Sequence, residues 1–140
     1  LSPDGRYLAL ISDRTGSPQV YVRDMQRKKL TRITEKGNYN VSPSWSPDGK
    51  FIAYASKRSG VSSIYRIDPK TKEENRVTPK NMNAESPTWS PDGSMIAFSG
   101  KKGGDWKIYY SLSSGGQAVR LTNSKAGIQE TMPSWGPSLR

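Results

Sequence analysis

Short apolar stretches separated by polar turns run along the whole chain. Residues 51–55 are apolar at every position, which predicts a strand covered on both faces. Residues 63–67 alternate apolar and polar side chains, which predicts a half-exposed strand. An earlier strand ends at Trp45, and a short, charge-flanked strand around residues 75–78 has the features of a protected sheet edge. The pattern therefore predicts units of four short strands.

The same pattern returns with a period of 44 residues, because Ser-Pro-Asp-Gly begins at Ser2, Ser46 and Ser90. Proline presets φ, aspartate caps the turn and glycine accepts a positive φ, so each copy predicts a tight turn between a first and a second strand. Four strands in a repeat of this length are typical of a β-propeller. We therefore predict an all-β fold, a partial propeller of about three four-stranded antiparallel blades. The predicted units are the domain at 1–140, its repeats at about 1–44, 45–88 and 89–134, and a closing strand at 131–137.

The composition narrows the chemistry that the chain can perform. The sequence contains no His and no Cys, which excludes histidine acid–base catalysis, thiol nucleophiles and thiolate zinc sites. It also contains no Gly-x-Ser-x-Gly nucleophile motif, so we predict that the chain is not an enzyme. The net charge is +10, but the basic residues recur with the repeat and no groove-reading motif accompanies them. We predict a solvated basic rim, no nucleic-acid binding and, without a long apolar run, no membrane insertion.

A family resemblance rests on residues 42–54, Ser-Pro-Ser-Trp-Ser-Pro-Asp-Gly-Lys-Phe-Ile-Ala-Tyr, and on the Ile-Tyr and Arg-Val-Thr that follow at 64–65 and 76–78. These residues resemble the TolB-type propeller repeat, as does the segment 12–21. The ending at 132–139 resembles the final strand of TolB proteins. The resemblance implies the C-terminal half of a six-bladed periplasmic propeller. It further implies binding to the peptidoglycan-associated lipoprotein Pal within the Tol–Pal system of the cell envelope.

Two other functions stay open at this point. Similar repeats occur in the propellers of prolyl-oligopeptidase-like and tricorn-like peptidases, where the propeller controls substrate access. Since propellers need at least four blades to close, the chain is also compatible with a half propeller that dimerises as a generic binding scaffold. The further partners would then be the remaining blades of a longer chain or a second half propeller.

The candidate partner-binding residues lie in the loops that link a fourth strand to the next first strand. In a propeller these loops reach one mouth of the central channel, and their Asn, Tyr, Met and Glu side chains suit a wet, adaptable protein interface. Trp106 breaks the repeat, either as a surface anchor or as the cover of a blade edge. The predicted contact residues are Asn38, Tyr39, Asn40, Asn81, Met82, Asn83, Glu85, Trp106, Gln129 and Glu130.

The remaining residues that could carry chemistry have structural explanations. Glu85 and Glu130 occupy matching places, where they could help to hold Ca²⁺ in the channel, but two carboxylates are few for that ion. Hydrogen bonding to loop amides explains them better, so we predict no cofactor. The aspartates of the repeated turns are explained by turn chemistry. The tryptophans of the repeat are predicted to lie in the core, and they are Trp45, Trp89 and Trp135.

Overall fold

The computed structural model describes residues 1–136, and these residues form eleven β-strands and no helix. The strands are β1 (Tyr7–Ser12), β2 (Gln19–Asp24), β3 (Leu30–Arg32), β4 (Asn40–Trp45), β5 (Ile52–Arg58), β6 (Val61–Ile67), β7 (Glu74–Arg76), β8 (Asn83–Trp89), β9 (Met95–Lys101), β10 (Lys107–Leu112) and β11 (Val119–Arg120). The described part of the chain thus has no helix that could cross a membrane. Within the predicted closing strand at 131–137, residues 131–136 pair with no described strand. Residue 137 and the rest of the C-terminal resemblance lie outside the described residues.

The strands form three antiparallel sheets that follow one another along the chain. Sheet 1 has the order β1-β2-β3, sheet 2 the order β4-β5-β6-β7, and sheet 3 the order β8-β9-β10-β11. Each strand pairs with its neighbour in sequence, so every sheet is a meander joined by short connections. The prediction of an all-β fold made from short antiparallel strands is confirmed, with four strands in sheets 2 and 3 and three in sheet 1.

The three Ser-Pro-Asp-Gly turns close with the same hydrogen bonds. In the second turn the Ser46 hydroxyl donates to Asp48 Oδ1 at 2.6 Å and accepts from the Phe51 N–H at 2.9 Å. Asp48 Oδ1 also accepts from the Lys50 N–H at 3.0 Å, and Gly49 has a φ of 71°. The equivalent distances in the first and third turns agree to about 0.1 Å. Local chemistry therefore fixes these turns, as the sequence predicts.

Apolar side chains fill the two spaces between neighbouring sheets. Sheets 1 and 2 enclose Val20, Val22, Ile33, Ile52, Tyr54, Tyr65 and Ile67. Sheets 2 and 3 enclose Ala53, Ala55, Ile64, Val77, Met82, Ala84, Trp89, Ile96 and Phe98. Alternate residues of β5 enter different cores, which confirms the prediction that this strand is covered on both faces. The prediction of a half-exposed β6 is wrong, because Ile64 packs towards sheet 3 while Tyr65 packs towards sheet 1.

One polar cluster lies beside the core between sheets 1 and 2. The Tyr54 hydroxyl donates to Glu74 at 2.5 Å, and the Arg58 guanidinium donates to both Glu74 oxygens at 2.8 and 3.1 Å. Arg58 also lies 3.9 Å above the ring of Tyr65. Burial alone would raise the pKa of Glu74, but the hydrogen bonds from Arg58 and Tyr54 lower it overall. Burial raises the pKa of Tyr54, so the cluster holds a carboxylate, a guanidinium and a neutral phenol.

The three repeat tryptophans differ in exposure. Trp89 is 6% exposed in the core between sheets 2 and 3, and Trp45 is half-buried against the core between sheets 1 and 2. Trp135 is 36% exposed, so the prediction of a core position is wrong for this residue. The reason is that no described sheet follows sheet 3 to cover it.

Candidate functional site

The strand order places two kinds of connection at opposite ends of the sheets. The Ser-Pro-Asp-Gly turns lie at one end, which we call the turn end. The connecting loops at 35–39 and 79–82 lie at the other, which we call the loop end. Because neighbouring strands are antiparallel, the hairpin turn at 59–60 between β5 and β6 also lies at the loop end.

A groove of about 760 Å³ opens at the loop end. Its lining consists of Asn38, Tyr39, Lys57, Ser59, Gly60, Ser62, Asn83 and Glu85, and we call it the loop-end groove. The fold thus brings together four of the predicted contact residues, two from the first connecting loop and two from the start of β8. Tyr39 is 47% exposed and is the aromatic side chain of the groove. One cation, one carboxylate and several amide and hydroxyl groups surround it.

Backbone hydrogen bonds hold the walls of the loop-end groove in place. The Lys57 N–H donates to the carbonyl of Tyr39 at 2.9 Å, which ties the first loop to the end of β5. The Ser62 N–H donates to Asn83 Oδ1 at 3.0 Å, which ties β6 to the start of β8. The Asn83 side chain and the backbone of Tyr39 are therefore held in place before any partner arrives, which lowers the entropic cost of binding.

A buried polar network supports the loop at 36–39 from below. Asn40 is fully buried, and its Nδ2 donates to Gln19 Oε1 at 2.7 Å and to the Lys36 carbonyl at 3.0 Å. Gln19 Oε1 also accepts from the Thr34 hydroxyl at 2.7 Å. The structure thus places Asn40 beneath the groove rather than at its surface.

The second connecting loop divides its predicted residues between surface and core. Met82 is 3% exposed and packs in the core between sheets 2 and 3, so it anchors the loop from within. Asn81 is exposed but does not line the loop-end groove. Asn83 and Glu85, which follow this loop at the start of β8, line the groove.

The last three predicted residues meet in a separate cluster at the third connecting loop. The Trp106 N–H donates to Gln129 Oε1 at 2.8 Å, and the Glu130 N–H donates to the Trp106 carbonyl at 2.9 Å. Asp105 holds the cluster by accepting from the Gly127 N–H at 2.6 Å and from Gln129 Nε2 at 2.7 Å. The bonds from Gly127 and Gln129 lower the pKa of Asp105. Trp106 itself is only half-exposed.

The two glutamates predicted to match have different surroundings, and the offset from Trp89 to Trp135 aligns Glu130 with Ala84 rather than with Glu85. Glu85 lines the loop-end groove, whereas the Glu130 carboxylate lies 4.0 Å from the buried ammonium of Lys107. Within residues 1–136, no three acidic side chains lie close enough together to hold a metal ion.

Sequence reasoning missed the contribution of the β5–β6 hairpin to the groove. Lys57, Ser59 and Ser62 line the groove although they lie outside the connecting loops. The antiparallel strand order could have identified them. It places the β5–β6 turn at the same end of the sheet as the connecting loop that precedes β4.

Comparisons with known proteins agree with this architecture. Residues 1–139 match the family model described as the TolB beta propeller domain. A curated relative, the protein TolB homolog of Chlorobium chlorochromatii (strain CaD3), is 42% identical over 45 residues, which are 32% of this chain and 10% of the relative.

Solved structures extend the similarity over almost the whole chain. TolB from Acinetobacter baumannii has a TM-score of 0.84 and 30% identity, with 98% of this chain and 34% of that chain covered. A putative TolB from Agrobacterium tumefaciens has a TM-score of 0.82 and 27% identity, with 96% and 52% covered. This chain therefore spans about a third to a half of these solved chains and a tenth of the curated relative. A puromycin-hydrolyzing peptidase of Mycobacterium tuberculosis, with a TM-score of 0.74 and 16% identity over 89% of this chain and 21% of its own, shares the fold alone.

Proposed function

Because the chain belongs to the TolB β-propeller domain family, we propose that it is a non-catalytic, protein-binding propeller of the periplasmic Tol–Pal cell-envelope system. Its proposed partner is the peptidoglycan-associated lipoprotein Pal. The observation that carries this proposal is the family match over residues 1–139, which includes every residue of the loop-end groove.

We further propose that sheets 1, 2 and 3 are three successive blades of a six-bladed propeller, and that the repeats at about 1–44, 45–88 and 89–134 are offset from these blades by one strand. Exposure at one repeat position supports this architecture. Ile33 and Val77 are 2% and 1% exposed because the next sheet covers them, whereas Leu121 at the same position of sheet 3 is 56% exposed. The outer face of sheet 3 therefore has the apolar surface that a further blade would bury.

The loop-end groove is the proposed contact surface for Pal. It combines an exposed aromatic ring at Tyr39 with amides and a charge of each sign at Lys57 and Glu85. Protein interfaces are enriched in tyrosine and are rimmed by polar groups of this kind. The cluster around Trp106, Gln129 and Glu130 is proposed as a secondary contact, since Gln129 and Glu130 lie in the next connecting loop and Trp106 bonds to both.

The absence of His and Cys from the 140-residue sequence supports a binding role over a catalytic one. The peptidase-associated alternative has weaker support, because the likeness to a peptidase is 16% in sequence identity and extends to the fold alone.

Calorimetric titration of the purified chain with the soluble domain of Pal tests the proposal. We expect one Pal per chain with a dissociation constant of about 1 µM or tighter. A chain that is folded by circular dichroism but releases no heat and retains no Pal at about 10 µM would overturn the proposed function.

A matched pair of charge reversals tests the location of the contact. Lys57→Glu changes the loop-end groove, whereas Lys50→Glu makes the same change at an exposed position of the turn end. We expect the first variant to weaken Pal binding by about tenfold or more and the second to change it by less than about twofold. Equal losses in both variants would move the contact away from the loop-end groove.

A further inference from the structure

A hairpin joins the last two strands of each sheet at the turn end, and the tips of the three hairpins differ in charge. The first tip, residues 25–29 between β2 and β3, carries one arginine, two lysines and no acidic residue, and we call it the sheet 1 tip. The second tip, at 69–73, carries two lysines and a glutamate, and the third, at 113–117, carries no charged side chain. Positive charge is thus concentrated in one of three equivalent turns.

The first two tips share one backbone conformation although they differ in charge. The Asp24 N–H donates to the Lys29 carbonyl at 2.8 Å, and the Asp68 N–H donates to the Glu73 carbonyl at 2.9 Å. In each tip the fourth residue is a lysine in the left-handed region, with φ of 58° and 62°. The cations of the sheet 1 tip therefore stand on a closed turn, and ordering them at a surface costs less entropy than ordering a flexible segment would.

The positive charges of the sheet 1 tip have no acidic partner in the described part of the chain. Within residues 1–136, no salt bridge involves Arg27, Lys28 or Lys29. The adjacent Asp24 accepts from two N–H groups of its own turn at 3.0 Å and from the Arg6 guanidinium at 3.2 Å. In the second tip, by contrast, one lysine donates to a carboxylate at 2.7 Å. The sheet 1 tip is therefore an uncompensated cationic surface.

All five residues of the sheet 1 tip are exposed, and Met25 among them is 46% exposed. The exposure is a property of the tip itself, because Lys70, Thr71 and Glu73 are also exposed although sheet 2 packs between sheets 1 and 3. The tip lines neither the loop-end groove nor the groove of about 470 Å³ at the turn end between sheets 1 and 2. It therefore offers a protruding surface with an apolar side chain beside three cations.

We propose that the sheet 1 tip docks on the surface of an anionic lipid bilayer, with its three cations at the headgroups and Met25 at the boundary of the acyl chains. Clusters of about four to eight basic residues are attracted to such surfaces. Together with Arg23 and Arg32, the tip brings five basic residues into ten positions. Lysine is depleted in protein interfaces, and a protruding tip has no groove for a peptide, so a flat anionic surface fits it better. The contact is peripheral and does not depend on the proposed binding of Pal.

Vesicle sedimentation of the purified chain tests whether such a surface is bound. We expect vesicles with about 30% phosphatidylglycerol to bind the chain at least about tenfold more tightly than vesicles of phosphatidylcholine alone, and to release it in about 0.5 M NaCl. A folded chain that binds both kinds of vesicle equally, or neither, overturns the proposal. Binding to polyglutamate without binding to the anionic vesicles would also overturn it, in favour of an acidic protein segment.

Neutralising the sheet 1 tip tests whether its cations make the contact. The variant Arg27→Gln/Lys28→Asn/Lys29→Gln removes all three charges, with asparagine at the left-handed position because asparagine tolerates that conformation. Each cation near an anionic surface strengthens binding about fivefold, so we expect the variant to bind the anionic vesicles about thirtyfold or more weakly. Undiminished binding by this variant overturns the proposal.

A control variant separates the tip from the net charge of the chain. Lys80→Gln/Lys102→Gln/Lys125→Gln removes the same number of charges from exposed positions of the loop end. We expect it to weaken vesicle binding by less than about threefold, since these residues point away from the docked surface. Equal losses in the two triple variants would show that net charge alone attracts the chain, and the proposal would fail.

Single fluorescent labels test the orientation of the docked chain, because the sequence has no Cys of its own. Met25→Cys and Asn81→Cys each provide one exposed position for an environment-sensitive fluorophore, the first at the sheet 1 tip and the second at the loop end. On addition of anionic vesicles we expect the emission at position 25 to shift to shorter wavelength and the emission at position 81 to stay unchanged. A vesicle-bound chain whose label at position 25 does not shift, or whose two labels shift equally, overturns the proposal.

Discussion

The turn end of the three sheets repeats one set of hydrogen bonds, whereas the loop end uses different side chains in every sheet. At the turn end the Ser46 hydroxyl meets Asp48 at 2.6 Å, and the first and third turns contain the same contact at 2.5 and 2.7 Å. At the loop end, Gln19 and Asn40 form a buried amide pair. The equivalent positions hold a serine and an alanine in the second repeat and Lys107 with Glu130 in the third.

This difference separates what the fold requires from what a partner could use. A turn that recurs without change serves every sheet equally, so it cannot distinguish one binding surface from another. The loop end varies while the strands beneath it stay in register, which allows each loop to carry its own chemistry. The predictions below test whether stability and binding divide between the two ends in this way.

The largest expected effect is at the buried support of the loop end. Asn40→Ala removes the donor to Gln19 and to the Lys36 carbonyl, so we expect the free energy of unfolding to fall by about 2 kcal/mol in urea denaturation. The double variant Gln19→Ser/Asn40→Ala reproduces the serine–alanine pair of the second repeat. We expect it to lose less stability than the sum of its single changes. A double variant that loses the full sum would show that the two residues do not act together.

The next effect concerns binding. Tyr39→Ala removes the exposed aromatic ring of the loop-end groove, and we expect Pal affinity to fall about tenfold in calorimetric titration. Unfolding free energy should change by less than about 0.5 kcal/mol, since the ring is 47% exposed. An unchanged affinity would remove the groove from the contact surface.

At the turn end we expect the opposite result, which is a loss of stability with little change in Pal affinity. Asp48→Ala removes the acceptor of the Ser46 hydroxyl and of the Lys50 N–H, so we expect a loss of about 1 kcal/mol in unfolding free energy. Pal affinity should stay within about twofold of the native value in the same titration. Loss of binding without loss of stability would contradict the division between the two ends.

The smallest expected effect is a pH dependence that arises at the turn end. The Ser90 hydroxyl and the Ser94 N–H lower the pKa of Asp92 from 3.8 to about 2. The folded chain therefore binds fewer protons than the unfolded chain in this interval, and its stability falls as the pH falls from about 4 to about 2. We expect Asp92→Asn to make this decline shallower in thermal unfolding followed by circular dichroism. An identical slope in the variant would show that the turn does not shift the titration.

The sequence predicts the turn end well and the loop end only in part, for a physical reason. The chemistry of Ser46 and Asp48 is local, so the residue types specify the turn. The burial of Asn40 and Met82 depends on neighbouring sheets that a single repeat does not reveal. The same limit explains why the alternation at 63–67 predicts a half-exposed strand although β6 is covered on both faces. Lys57 was not predicted to line the groove, because its place there follows from the strand order and not from a connecting loop.

Hydrogen exchange of the chain with and without Pal compares the two ends in one experiment and tests the proposed binding surface most directly. We expect Pal to slow amide exchange at the loop end, in residues 36–40, 57–62 and 81–85, and to leave the turn end at 46–50 and 90–94 unchanged. Protection of the turn-end amides, or of neither set under conditions where Pal is bound, would contradict the account.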